Sequence, residues 1–133
     1  MIIKIFIYIA TLALIFFLYS KNIFSKEYNI LTTAIIFLMP GILLIMEIDA
    51  LYNRDQSLEK IKKKVFKFSF AIGTIWGILM SFSGGYHYWP NSFINWVWWI
   101  INILLMGFVV GIFGKYMSGY IIKRKQNIEI DDQ

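Results

Sequence analysis

Residues 93–113 read FINWVWWIINILLMGFVVGIF, an apolar run without a charged residue. At about 1.5 Å per helical residue such a run is long enough to cross the roughly 30 Å hydrocarbon core of a bilayer. Upstream, residues 68–84 read FSFAIGTIWGILMSFSG, a second uncharged run. The residues between them, 85–92 (GYHYWPNS), leave room only for a tight connection in which glycine frees the backbone and Pro90 interrupts the helix. The two runs are therefore expected to form an antiparallel helical hairpin.

Working towards the N-terminus, residues 30–46 form a third apolar run, interrupted by Thr32, Thr33 and Pro40-Gly41. Threonine hydroxyls can bond back to their own helix. A turn at Pro40 would leave two pieces too short to span and with unpaired backbone, so a helix bent at Pro40 is expected rather than a re-entrant hairpin. The fourth run, 5–19, extends to Ile2 if Lys4 snorkels. Leu18, Tyr19 and Ser20 lack the small residues of a signal-peptide cleavage site, which favours an uncleaved anchor. The expected fold is thus an all-α membrane protein, a single domain over 1–133 in which four transmembrane helices (2–19, 30–47, 67–84 and 93–114) make a small bundle.

Composition supports this. Of 133 residues, 59% are hydrophobic and 16% charged, too little charge to coat a water-soluble surface. The runs show no charged stripe at helical spacing, which core helices of a soluble protein would need on their outer faces. Without cysteine there is no disulfide, thiolate nucleophile, palmitoylation site or thiolate metal site. The net charge of +5 lies next to the apolar runs instead of covering one face, which points to membrane orientation and not to nucleic acid.

Every basic residue except Lys21 and Lys26 falls on one side of the four-span arrangement, namely Lys4, the connection from 50 to 67, and the C-terminal part from Lys115 onward. Basic residues near helix ends stay cytoplasmic, so both termini are expected in the cytoplasm of a multi-pass plasma-membrane protein. In the connection, Leu58, Ile61 and Val65 recur at helical spacing and Glu59 reaches Lys63 at i,i+4. This predicts an amphipathic helix, lying on the inner surface or extending the third span inward. The tail, 123–133, is polar, and from Gln126 on it is short enough to be disordered.

Gly73 and Gly77 form a G-x-x-x-G that Ser81 continues, and Gly107 and Gly111 form another. Between apolar helices in lipid there is little hydrophobic drive, so close approach across small residues becomes a main source of association. Packing of the third helix on the fourth is the expected use, with contacts between copies as the alternative. Tyr86, Tyr88, Trp89 and Trp96 cluster at the outer end of the hairpin and are expected to form an aromatic lip at the headgroups.

Few residues suggest chemistry. Glu47 and Asp49 follow the second run and are expected to be solvated at the inner headgroups, with pairing to a basic residue of another helix or ion handling as alternatives. Being two apart, they point to different sides of a helix and do not make a shared carboxylate pair. His87 is the only histidine, so no typical zinc site is expected. Asn102 is the candidate for an interhelical hydrogen bond or a polar cavity. No nucleophile elbow, phosphate loop, dinucleotide fingerprint or metalloprotease motif occurs, and the two hairpins show no internal duplication. The expectation is a non-enzymatic accessory, regulatory or protective partner of another membrane component, without cofactor or metal. It would contact membrane lipids and another membrane protein or itself; an oligomeric channel or transporter subunit is the alternative.

Overall fold

The computed structural model describes residues 1–20, 28–54, 57–83 and 90–131. They are all-α: α1 (Ile2–Ser20), α2 (Tyr28–Tyr52), α3 (Leu58–Ser83) and α4 (Phe93–Asp131). Each expected span lies within one of these helices or ends within a residue of it, but three helices run further. α2 continues past 47 to Tyr52. α3 begins at Leu58, so the amphipathic connection is its first turns, the second of the two arrangements expected for it. α4 does not stop at 114. Its helix passes through the basic cluster to Asp131, where a disordered tail was expected. Among the described residues, Ala34–Tyr52 and Phe93–Asp131 are long and apolar enough to cross a membrane, and Ile2–Leu18 is a shorter apolar helix. The chain divides into two compact units, Met1–Glu47 and Ile48–Gln133.

In the first unit, α2 runs through Pro40 without a break. Proline has no N–H, so the carbonyl four residues earlier, Ile36, loses its helical donor. Tyr8 of α1, fully buried, donates its hydroxyl to that carbonyl at 3.1 Å. The phenol thus replaces the missing helical bond and fixes α1 against α2 at the same point. With Lys4 meeting Glu47 further along, the two helices run antiparallel.

In the second unit, α3 buries Ile61, Val65, Phe68 and Ile72, at spacings of four, three and four. The facing stripe of α4 is Ile103, Gly107, Gly111, Gly114, Ser118 and Ile122, with Gly119 beside it. Bulky side chains of one helix thus lie over small residues of the other. Higher numbers on α3 meet lower numbers on α4: Gly77 faces Ile103, Gly73 faces Gly107, Phe66 faces Gly111 and Lys62 faces Gly119. This is the antiparallel hairpin expected for the third and fourth helices. The Ser57 carbonyl accepts the first helical bond of α3 from Ile61 N–H at 3.1 Å. Ser92 caps α4, its carbonyl accepting from Trp96 N–H and its hydroxyl from Asn95 N–H.

A double-mutant cycle tests the role of Tyr8. Tyr8→Phe leaves the Ile36 carbonyl unpaired, at an expected cost of about 1–3 kcal/mol in a denaturant titration of the detergent-solubilised chain. Pro40→Ala restores the N–H, so in that background the cost of Tyr8→Phe is expected to fall below about 1 kcal/mol. An equal cost in both backgrounds rules out the replacement.

Candidate functional site

Three features concentrate polarity or close packing: two ion-paired carboxylates, the glycine seam, and a groove beside that seam. Glu47 is buried, against the expected solvated position. Lys4 Nζ donates to its Oε2 at 2.7 Å, and the Met1 amino group lies 3.6 Å from Oε1. A carboxylate placed there alone would be strongly penalised. The lysine neutralises it, at the cost of desolvating a second charge. Asp49 is half-exposed and takes a different partner, Lys125 of α4. Lys125 also lies 5.7 Å from the centre of the Tyr52 ring, and the Tyr52 hydroxyl donates to Glu129 at 2.9 Å. Through these contacts the end of α2 holds the last turns of α4, the part expected to be a loose tail. The Asp49 pair is part-buried and the Tyr52 bond exposed, so each is individually worth little, about 0–1 kcal/mol.

The seam is closest where both helices lack side chains. A methyl group on Gly73 would stand 2.9 Å from the Cα of Gly107 and 2.7 Å from Val110 Cβ; one on Gly77 would stand 3.1 Å from the Cα of Ile103. On α4, Gly107 would meet Thr74 Oγ1 at 2.5 Å and Gly111 the Phe66 ring at 2.9 Å. Gly114, beyond the small residues singled out from the sequence, receives Ser69, and Gly119 receives the stem of Lys62. Hydroxyls along the seam mostly bond back to their own helix: Thr74 to the Phe70 carbonyl, Ser81 to Gly77 and Ser118 to Lys115. Ser69 Oγ is buried and lacks a partner among the described residues.

Among the described residues, Asn102 bonds within its own helix. It is exposed, and its amide donates to the Trp98 carbonyl of its own helix at 2.8 Å. Asn95 likewise donates to Asn91 at 2.8 Å. The seam runs along Ile103 and Gly107, a different face of α4, so the nearest acceptor for Asn102 is the carbonyl one turn back. Trp96 packs edge-on against Trp99 at 5.5 Å near the start of α4. Tyr86, His87, Tyr88 and Trp89 lie outside the described residues, so only Trp96 of the expected lip is placed.

Beside the seam, α3 and α4 enclose a groove of about 450 Å³ lined by Glu59, Lys62, Lys63, Phe66, Phe108, Ile112 and Lys115. Phe66 meets Phe108 edge-on at 5.9 Å, the two forming its aromatic floor, and Phe66 also stacks with Phe70 at 6.2 Å. Among the described residues, no group of three or more His, Cys, Asp or Glu side chains converges as metal ligands would. Comparison of the chain with protein-family models, curated proteins and solved structures finds no match. What is established is a small all-helical protein without an evident catalytic or cofactor-binding arrangement among its described residues.

Sequence reasoning passed over Tyr8, Lys4 as the partner of Glu47, and the seam's continuation through Gly114, Ser118 and Gly119. The continuation had a signal: small residues recur at three or four after Gly111. The seam is tested by contrast with Gly41, around which a methyl group would find open space. Gly107→Leu is expected to destabilise the detergent-solubilised chain by at least about 3 kcal/mol, the upper range of overpacking. Gly41→Leu, which gains helix propensity, is expected to be neutral or stabilising. Equal effects remove the seam's special role.

Proposed function

We propose that this chain is a four-span protein of the plasma membrane with both termini cytoplasmic. On this reading it is a non-enzymatic accessory, regulatory or protective partner of another membrane component. The observation that carries the reading is the apolar outer surface of the helices. On α1, Phe6 and Phe16 are more than two-thirds exposed; α2 exposes Leu38 and Ile42, and α4 exposes Phe93, Trp98, Leu105 and Phe113. A water-soluble monomer rarely leaves so many large apolar side chains uncovered, whereas lipid covers them at no cost.

The partners of the two shorter apolar segments support placing these in the bilayer as well. α1 pairs with α2 through Tyr8 and Lys4, and the apolar part of α3 packs on α4 from Gly73 to Gly77. Each thus accompanies a helix that is long and apolar enough to cross. Within each unit the charged ends also agree. The start of α1 meets the end of α2 in the first unit; in the second, the end of α2 and the start of α3 meet the C-terminal part of α4. This supports a common side for the basic clusters, and the positive-inside rule makes that side cytoplasmic.

The partner role rests on where polarity and surface remain. Glu47 and Asp49 are each neutralised by a lysine, and the Asn102 amide is used by its own helix. Those are the residues an oligomeric pore would line its path with. The outward face of α4, uninterrupted by charge from Phe93 to Phe113, is what remains for recognition.

The reading predicts that the expressed chain stays in the membrane pellet after alkaline carbonate washing. A photo-crosslinking residue at Leu105 or Phe113 is expected to give a discrete protein adduct in native membranes. Release into the carbonate supernatant defeats the membrane assignment. Lipid adducts alone, from positions on α1, α2 and α4, defeat the partner role while leaving the membrane assignment intact.

A further inference from the structure

The groove between α3 and α4 combines two chemistries that occur together in one kind of ligand. Its floor is apolar: Phe66, Phe108 and Ile112, with Phe108 54% exposed. Its rim carries three lysines, Lys62, Lys63 and Lys115, against a single carboxylate, Glu59. None of these lysines forms an ion pair among the described residues. The Lys62 stem is held over Gly119, where any side chain would displace it.

The two chemistries are ordered along the helices. Lys62 and Lys63 precede Phe66 on α3 and Lys115 follows Ile112 on α4, and the antiparallel register puts those ends together. The lysines therefore stand just beyond the end of the apolar run of α4, Phe66 lies at that boundary, and Ile112 and Phe108 lie inside the run. An anionic headgroup at the lysines and an acyl chain on Phe66, Phe108 and Ile112 satisfy both ends at once. A soluble anion would leave the floor uncovered, and a neutral lipid would leave the ammonium groups without a counter-charge.

We infer that this groove is a binding site for an anionic phospholipid of the cytoplasmic leaflet, its phosphate held by Lys62, Lys63 and Lys115 and one acyl chain lying on Phe66, Phe108 and Ile112. The inference rests on the membrane reading above and adds to it a defined ligand class and site. Basic pockets between helices at the cytoplasmic interface take anionic headgroups by the same electrostatics, concentrated by the low dielectric of the neighbouring lipid.

The test uses the full chain in nanodiscs of phosphatidylcholine containing spin-labelled phosphatidylglycerol or spin-labelled phosphatidylcholine, read as the motionally restricted fraction of each label. The wild-type chain is expected to retain phosphatidylglycerol several-fold over phosphatidylcholine. The triple variant Lys62→Gln, Lys63→Gln, Lys115→Gln is expected to bring that ratio to near one. A control triple with the same charge loss outside the groove, Lys60→Gln, Lys123→Gln, Arg124→Gln, is expected to keep it. An equal loss in both triples overturns the site in favour of diffuse surface charge, and so does a wild-type ratio near one. A chain that does not enter nanodiscs at all overturns the membrane reading itself, and the lipid site with it.

Discussion

Direct backbone contact between α3 and α4 is the constraint on which the larger unit depends. At Gly73 and Gly107 no side chain separates the helices, so the space is too narrow for even a methyl group. That approach fixes the register, and the register decides what else can meet. Phe66 falls over Gly111, Ser69 over Gly114 and Lys62 over Gly119, and the groove with its lysine rim opens beside them. α4 is 39 residues long, about 58 Å at 1.5 Å per residue, well beyond one hydrocarbon thickness. The first turns of α3 need that excess length: their buried Ile61 and Val65 lie at the level of the small residues that follow Gly111.

The polar groups follow a second rule, that each backbone or charged group removed from water must find its partner within the chain. Pro40 orphans the Ile36 carbonyl and Tyr8 supplies the donor. Glu47 is buried and Lys4 supplies the charge. In both cases the partner comes from α1, so these two polar contacts also hold the smaller unit together. Ser69 is the exception among the described residues, a buried hydroxyl without a partner beneath Gly114.

The helices were legible because their signal is local. The apolar runs, the short connection after residue 84 and the i,i+4 glycines of 73/77 and 107/111 can be read along the chain. What was not legible depends on residues far apart in sequence. Glu47 was expected at the headgroups because a helix starting near Ile30 ends there, and the partner beside which it is buried is 43 positions away. The segment from Gln126 on looked like a loose tail because the contacts that hold this end of the helix, Asp49 to Lys125 and Tyr52 to Glu129, come from α2. Asn102 was the candidate for an interhelical bond or a polar cavity because an amide in apolar surroundings needs an acceptor, and the Trp98 carbonyl one turn back supplies one. The seam's continuation lies outside the two G-x-x-x-G motifs, because after Gly111 the small-residue spacing changes from four to three.

On the reading proposed above, the chain crosses the bilayer four times with its basic ends on one side. Because the chain has no cysteine, single cysteines introduced at Ser57, Asn127 and Asn91 can be labelled without background. In intact spheroplasts treated with a membrane-impermeant maleimide, Asn91→Cys is expected to react directly. Ser57→Cys and Asn127→Cys are expected to react only once the membrane is opened. Labelling of all three from the outside, or of Ser57→Cys and Asn127→Cys from opposite sides, would contradict the four-span account.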